Sequence, residues 1–137
     1  MKIGLIGCGK DKSPIRCKAE EMYIGGYFKL GLKFARKSFE KIYILSAKYG
    51  LLELEDMIEP YNMTLNTMDN NEIYVWSKRV AEALKSKLNK DDVVTFVCGK
   101  EYYKYLKGML PCKYVLLFDG SGMGIGKQMA YFKRMSV

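Results

Sequence analysis

The sequence predicts an α/β domain: a three-layer αβα sandwich around a mainly parallel sheet of about four strands, Rossmann-like in layout. Three observations predict it. Four short runs are apolar throughout rather than alternating, the pattern of strands covered on both faces. Amphipathic stretches at helical period separate those runs. The chain has 137 residues, 49% of them apolar and 28% charged, which suits one folded domain over residues 1–137. No linker or low-complexity segment divides it.

The elements follow in order. Residues 2–8 carry Ile3, Leu5 and Ile6 and stop at Gly9. Residues 27–39 place Phe28, Leu32, Ala35 and Phe39 on one helical stripe. Residues 41–46 form the second strand, with Ile42, Tyr43, Ile44 and Leu45. Residues 72–88 repeat Trp76, Val80, Leu84 and Leu88 at i, i+4, with Lys and Arg opposite. Residues 92–98 are the third strand, again closed by a glycine, and residues 114–118 the fourth. Shorter helices are expected over 101–109 and 126–134. Right-handed crossovers would join the parallel strands.

Two absences narrow the chemistry. The chain has no histidine, which removes Ser-His-Asp and Cys-His catalysis and His-ligated zinc. Its four cysteines, Cys8, Cys17, Cys98 and Cys112, include no C-x-x-C pair, so the spacing does not point to structural zinc. Free thiols in a reducing cytoplasm are the expectation. No apolar run approaches the roughly 20 residues of a membrane span. The opening residues lead straight into a strand rather than a secretory signal, so a cytoplasmic protein with no membrane contact is expected.

The net charge of +8 is uneven. Residues 51–72 hold six acids (Glu53, Glu55, Asp56, Glu59, Asp69, Glu72) and no base, so the rest of the chain carries +14. That balance suits an anionic partner, whether nucleotide, nucleic acid or acidic protein. A lysine-rich solvated surface gives the same count.

The strand ends carry the functional signal. They read Cys8-Gly9-Lys10, Ser46-Ala47-Lys48, Cys98-Gly99-Lys100 and Asp119-Gly120, the last followed by Ser121-Gly122-Met123-Gly124-Ile125-Gly126. In an open parallel sheet these tips share the edge where ligands bind. Lys10 and Lys48 would hold phosphate or developing negative charge. Asp119 is the best-placed carboxylate for a general base or a sugar hydroxyl. Lys10, Lys48 and Asp119 are therefore the candidate catalytic residues. Cys8, Gly9, Gly99, Gly120 and Gly124 let a ligand approach the backbone. Lys12 adds a cation, Ser46 and Gln128 add hydrogen bonds, and Tyr23, Tyr61 and Tyr102 offer rings for stacking. No metal and no cofactor is required.

Each of these residues also has a structural reading. The glycines serve strand-to-helix turns. Asp119 caps a glycine turn. Cys8 and Cys98 at the ends of buried strands are small core residues more often than nucleophiles, and several of the 11 tyrosines must be packing. The run from Gly120 to Gly126 misses the dinucleotide fingerprint. It can still form an anion-binding turn that opens the last helix.

Several motifs, in order, resemble domain-of-unknown-function family 6884, found in bacteria and their phages. They are Cys8-Gly9-Lys10-Asp11-Lys12, Ala19-Glu20-Glu21-Met22-Tyr23-Ile24-Gly25, Ile44-Leu45-Ser46-Ala47-Lys48-Tyr49-Gly50-Leu51-Leu52 and Pro60-Tyr61-Asn62-Met63-Thr64-Leu65, then Trp76, Gly99-Lys100-Glu101-Tyr102 and Gly124-Ile125-Gly126-Lys127-Gln128. The strand and loop with its lysine pair also look like the opening of the YaaA peroxide-stress family, whose members are thought to bind DNA. Residues 8–14 are similar to the lysine-transfer domain of archaeosine synthase, which modifies a deazapurine in tRNA. The chain departs from that motif: it has no histidine, and Ile15 stands where an aromatic residue would follow Pro14.

These likenesses imply nucleic-acid or nucleobase chemistry. The expected function is a nucleotide- or nucleobase-binding protein, an enzyme of nucleotide or nucleic-acid modification. It would use a Lys/Ser/Asp-lined cleft at the C-terminal edge of the sheet, with metal-free group transfer or glycosidic-bond chemistry. The ligand would be a nucleotide or nucleobase, free or within DNA or RNA. Two alternatives stand beside it. One is a non-catalytic DNA binder or nucleotide sequesterer. The other is an interaction module whose acidic 51–72 segment docks a basic partner, that segment being either a lid on the sheet edge or a packed crossover.

Overall fold

The computed structural model describes residues 1–118 and 122–137. Five strands make the central sheet: β1 (Lys2–Gly7), β3 (Lys41–Ser46), β4 (Gly50–Glu53), β6 (Val93–Val97) and β7 (Lys113–Leu116). Their order is β4-β3-β1-β6-β7. β1 pairs in parallel with β3 and β6, and β6 with β7, while β4 runs antiparallel beside β3. A two-stranded ribbon pairs β2 (Cys17–Lys18) with β5 (Met57–Ile58).

The central strands are apolar because both of their faces are covered. Leu5 sits beside Tyr43 and Phe96, and Ile6 beside Ile44 and Val97. The first row faces α3 (Asn70–Lys85), through Trp76, Val80 and Leu84. The second faces α2 (Gly26–Ser38) and α5 (Ile125–Met135), through Phe28, Phe34, Ala35 and Phe132. The three-layer αβα sandwich follows directly. Gly4 is required by this packing: a Cβ there would lie 2.4 Å from the Phe39 ring, which rests on the strand.

α3 starts at a capping box. The Asp69 carboxylate accepts the Glu72 N–H at 2.8 Å, and Glu72 accepts the Asp69 N–H at 3.1 Å. Two further short helices are α1 (Ala19–Met22) and α4 (Lys100–Tyr103). The helix expected over 101–109 is α4 followed by a 3-10 turn, Leu106–Met109.

The sheet has one strand more than the expected four. Gly50–Glu53 (GLLE) turns back on β3 through Gly50, whose φ of +75° favours glycine. The segment 51–72 is therefore not one lid or one crossover. Its first part is an edge strand and the ribbon, and its later part reaches the C-terminal edge of the sheet.

The connection after β1 runs over one face through α2. Those after β3 and β6 run over the other, through α3 and α4. The winding therefore reverses between β1 and β6, and the crevice outside such a switch point is where open α/β sheets bind ligands.

Candidate functional site

A hollow of about 340 Å³ opens at that crevice. Cys8 and Gly9 end β1 on one side of it, and Tyr102 of α4 stands on the other. Lys10 and Lys12 come from the loop after β1. The remaining wall is Asn62, Met63, Thr64 and Asn66. Among the described residues, its lining side chains include two cations and two carboxamides but no carboxylate.

The loop after β1 is folded back and pinned. Ile24 N–H donates to Asp11 O at 3.0 Å, and Ser13 N–H to Met22 O at 2.7 Å. Lys12 forms an isolated antiparallel bridge with Tyr23. Its ammonium donates to Lys10 O at 3.2 Å and lies 4.5 Å from the centre of the Tyr61 ring. The Lys12 charge is thus held at the mouth of the hollow with donors to spare.

Behind the far wall runs a hydroxyl chain. Tyr61 Oη lies 2.7 Å from Tyr23 Oη and 2.8 Å from Ser46 Oγ, which also accepts the Tyr49 N–H at 3.1 Å. The Ser46 carbonyl accepts the Trp76 indole N–H at 2.9 Å. Thr64 then caps a 3-10 turn, Leu65–Thr67, by accepting the Asn66 N–H at 3.2 Å. The residues at 60–66 are so fixed against the end of β3.

Burial pushes the Tyr23 phenol up to about 12, with the neighbouring Cys8 thiol adding to the rise. It raises Tyr61 and Tyr102 as well, and Cys8 contributes to both. All three are neutral phenols at neutral pH. The Tyr102 hydroxyl donates to Cys8 O at 3.2 Å and lies 3.2 Å from Cys8 Sγ. A phenol has one proton. With that proton on the carbonyl, the sulfur contact is filled by the thiol hydrogen. Burial raises the Cys98 thiol too, which makes it a weak nucleophile.

The structure brings Cys8, Gly9, Lys10, Lys12 and Tyr102 to one hollow. Lys48 lines the adjoining one, and the two hollows share Met63. Tyr23 and Ser46 are buried, with their hydroxyls engaged, and reach the hollow only through Tyr61. Gln128 is engaged elsewhere. It accepts the Tyr27 hydroxyl from α2 and donates to Met123 O at 3.0 Å, clamping the start of α5.

Gly99 and Gly124 are the N-caps of α4 and α5. Both have ordinary extended backbone, and an added Cβ would meet nothing within 4 Å, so the fold itself does not demand glycine there. Asp119 and Gly120 lie outside the described residues.

The sequence reading missed Asn62, Met63, Thr64 and Asn66. The available signal was the group of uncharged polar side chains Asn62, Thr64, Asn66 and Thr67 inside an otherwise acidic and apolar segment. A larger hollow, about 640 Å³, lies away from this edge, near the start of β3. Its two cations are each paired with a carboxylate, Arg36 with Glu20 at 3.3 Å and Lys41 with Glu53 at 2.8 Å. All four cysteines are free thiols. Among the described residues no helix is long and apolar enough to cross a membrane.

Comparison with known proteins agrees with the motifs. A UPF0246 protein of Polynucleobacter necessarius is 33% identical over 75 residues, which cover 50% of this chain and 29% of the relative. One from Paraburkholderia phytofirmans is 34% identical over 76 residues, 49% of this chain and 29% of its own length. One from Variovorax paradoxus is 36% identical over 72 residues, 47% and 28% respectively. The matched part is under a third of each relative, in line with a distant YaaA likeness. The broader match is to a profile described as a family of unknown function, DUF6884, and it spans residues 3–134. It takes in all of the central sheet but Lys2 and every residue of the hollow, and the chain belongs to that family.

Proposed function

We propose that the chain binds a nucleotide in the hollow between the ends of β1 and β6. The observation that carries this reading is the composition of the lining. Lys10 and Lys12 supply charge for a phosphate, while Asn62 and Asn66 supply paired donors and acceptors for a base edge. Cys8 and Gly9 leave the strand end narrow enough for close approach. The position agrees with the rule that open α/β sheets bind ligands at the switch point.

Chemistry on the bound nucleotide is the second reading, favoured by the Tyr102–Cys8 pair. The phenol stays protonated at neutral pH with its hydrogen on the Cys8 carbonyl, and a ligand oxygen that displaces that contact would take the hydrogen bond. Lys10, Lys12 and, from the adjoining hollow, Lys48 would stabilise negative charge. A carboxylate base would have to come from elsewhere, and Asp119 is the candidate.

A thermal-shift screen tests the binding reading. Nucleoside 5′-monophosphates should raise the melting temperature, while the matching nucleosides should do so much less. The shift should survive moderate salt, because one phosphate releases few counterions. A response confined to long DNA and erased by salt would instead support a non-catalytic groove binder.

A further inference from the structure

Resting on that nucleotide reading, we propose that the site takes two consecutive nucleotides of a single strand, the second base lying in the apolar hollow next door. That hollow measures about 430 Å³ and includes Met63, Val75, Trp76, Lys48 and Arg79 in its lining. Met63 belongs to both hollows, so they adjoin across one side chain. Val75 is 66% exposed and Met63 43%. Large apolar side chains left open on the rim of a polar site suit a flat apolar partner.

The two hollows differ in a way that fits two bases with different duties. The first is lined by carboxamides and cations, the groups that read hydrogen-bonding edges. The second offers exposed apolar surface, Met63 and Val75, against which the face of any base can pack, with Trp76 buried beneath. Cations stand on both sides of Met63: Lys10 and Lys12 on one, Lys48 and Arg79 on the other. A phosphodiester crossing Met63 would meet positive charge at both ends. Arg79 donates to Lys48 O at 3.0 Å, which fixes the turn that carries Lys48. Glu72 also faces this hollow, but its carboxylate accepts the Asp69 N–H at the start of α3. A duplex would not present unpaired base faces to either hollow, so the strand is single.

The test compares binding of 5′-phosphorylated mononucleotides, dinucleotides and tetranucleotides by calorimetry, in deoxy and ribo forms, to the wild-type chain and to Val75→Asp and Lys48→Ala. The exposure of Val75 makes its substitution compatible with folding, checked by circular dichroism. Dinucleotides should bind at least tenfold tighter than mononucleotides. Val75→Asp should remove that gain and leave mononucleotide affinity unchanged, and Lys48→Ala should remove part of it. The deoxy and ribo arms tell DNA from RNA. Equal affinity for one and two nucleotides, or no effect of Val75→Asp on the dinucleotide, would overturn the second subsite and leave the nucleotide reading standing. No binding of any of these ligands would remove both.

Discussion

Tyr102 Oη lies 3.2 Å from both the sulfur and the carbonyl oxygen of Cys8, so one phenol ties the helix after β6 to the end of β1. The two strands flank the switch point. The ladder between them ends at the pair Ile6 and Val97, and this clasp lies just beyond it. Tyr102 also packs edge-on against Trp76, with ring centres 6.0 Å apart, which couples the clasp to α3.

Tyr102→Phe should keep the ring packing and lose both polar contacts. We expect a stability loss of about 1 kcal/mol and a larger relative loss of nucleotide affinity, since the hollow's floor loses its hydroxyl. Urea unfolding and calorimetry on the same variant separate the two effects.

The hydroxyl chain behind the wall predicts a different pattern. Ser46 is fully buried and serves Tyr61 and the Tyr49 N–H together. Ser46→Ala leaves both partners short, for a cost of roughly 1–3 kcal/mol. Tyr61→Phe also removes one hydroxyl and takes the Tyr61 partner from the buried Tyr23 phenol, so it should cost a similar amount. Denaturant midpoints of the two single variants and the double variant check this, and the double should fall short of additivity.

Alkaline stability should fall early. Tyr23 titrates at about 12 in the folded chain and Tyr27 also at about 12, against 10.0 for a free phenol. Between those values the unfolded chain has lost protons that the folded chain keeps, so stability decreases as pH rises from about 10 to about 12. For buried Tyr23 the shift is worth about 2–3 kcal/mol. Absorbance at 295 nm should show part of the 11 tyrosines ionising only together with unfolding. Smooth ionisation of all of them in a still-folded chain would contradict the buried network.

Gly4→Ala should destabilise by about 1–3 kcal/mol through overpacking against Phe39. Phe39→Leu should relieve much of that cost in the double variant. A thermal melt of the four combinations measures the coupling.

The parallel core was legible because its strands are covered on both faces, and an all-apolar run as short as residues 42–45, bounded by polar residues, suits a doubly covered strand. β4 was not legible. Gly50–Glu53 is a short edge strand whose identity rests on the positive-φ turn at Gly50 and on its pairing with β3, neither of which shows in composition.

The site was legible at the strand tips, where topology alone brings Cys8, Gly9 and Tyr102 together. Lys10 and Lys48 end equivalent strands yet line neighbouring hollows, because the residues around Met63 rise between them. Ser46 looked like a ligand contact for its hydroxyl and Tyr23 for its ring. Burial turned them into the support for Tyr61. The wall at 62–66 escaped notice because a loop's approach to a sheet edge is a long-range contact.

The most direct test is protection of Cys8, the one thiol among the described residues that lines the hollow. The chain is alkylated with iodoacetamide in the presence and absence of a nucleoside 5′-monophosphate, and each cysteine is followed by mass spectrometry. Cys17, held in the ribbon with β5, is the internal control. A nucleotide in the proposed place slows modification of Cys8 several-fold and leaves Cys17 unchanged. A nucleotide that binds by calorimetry without altering the Cys8 rate would place its site elsewhere and contradict the account.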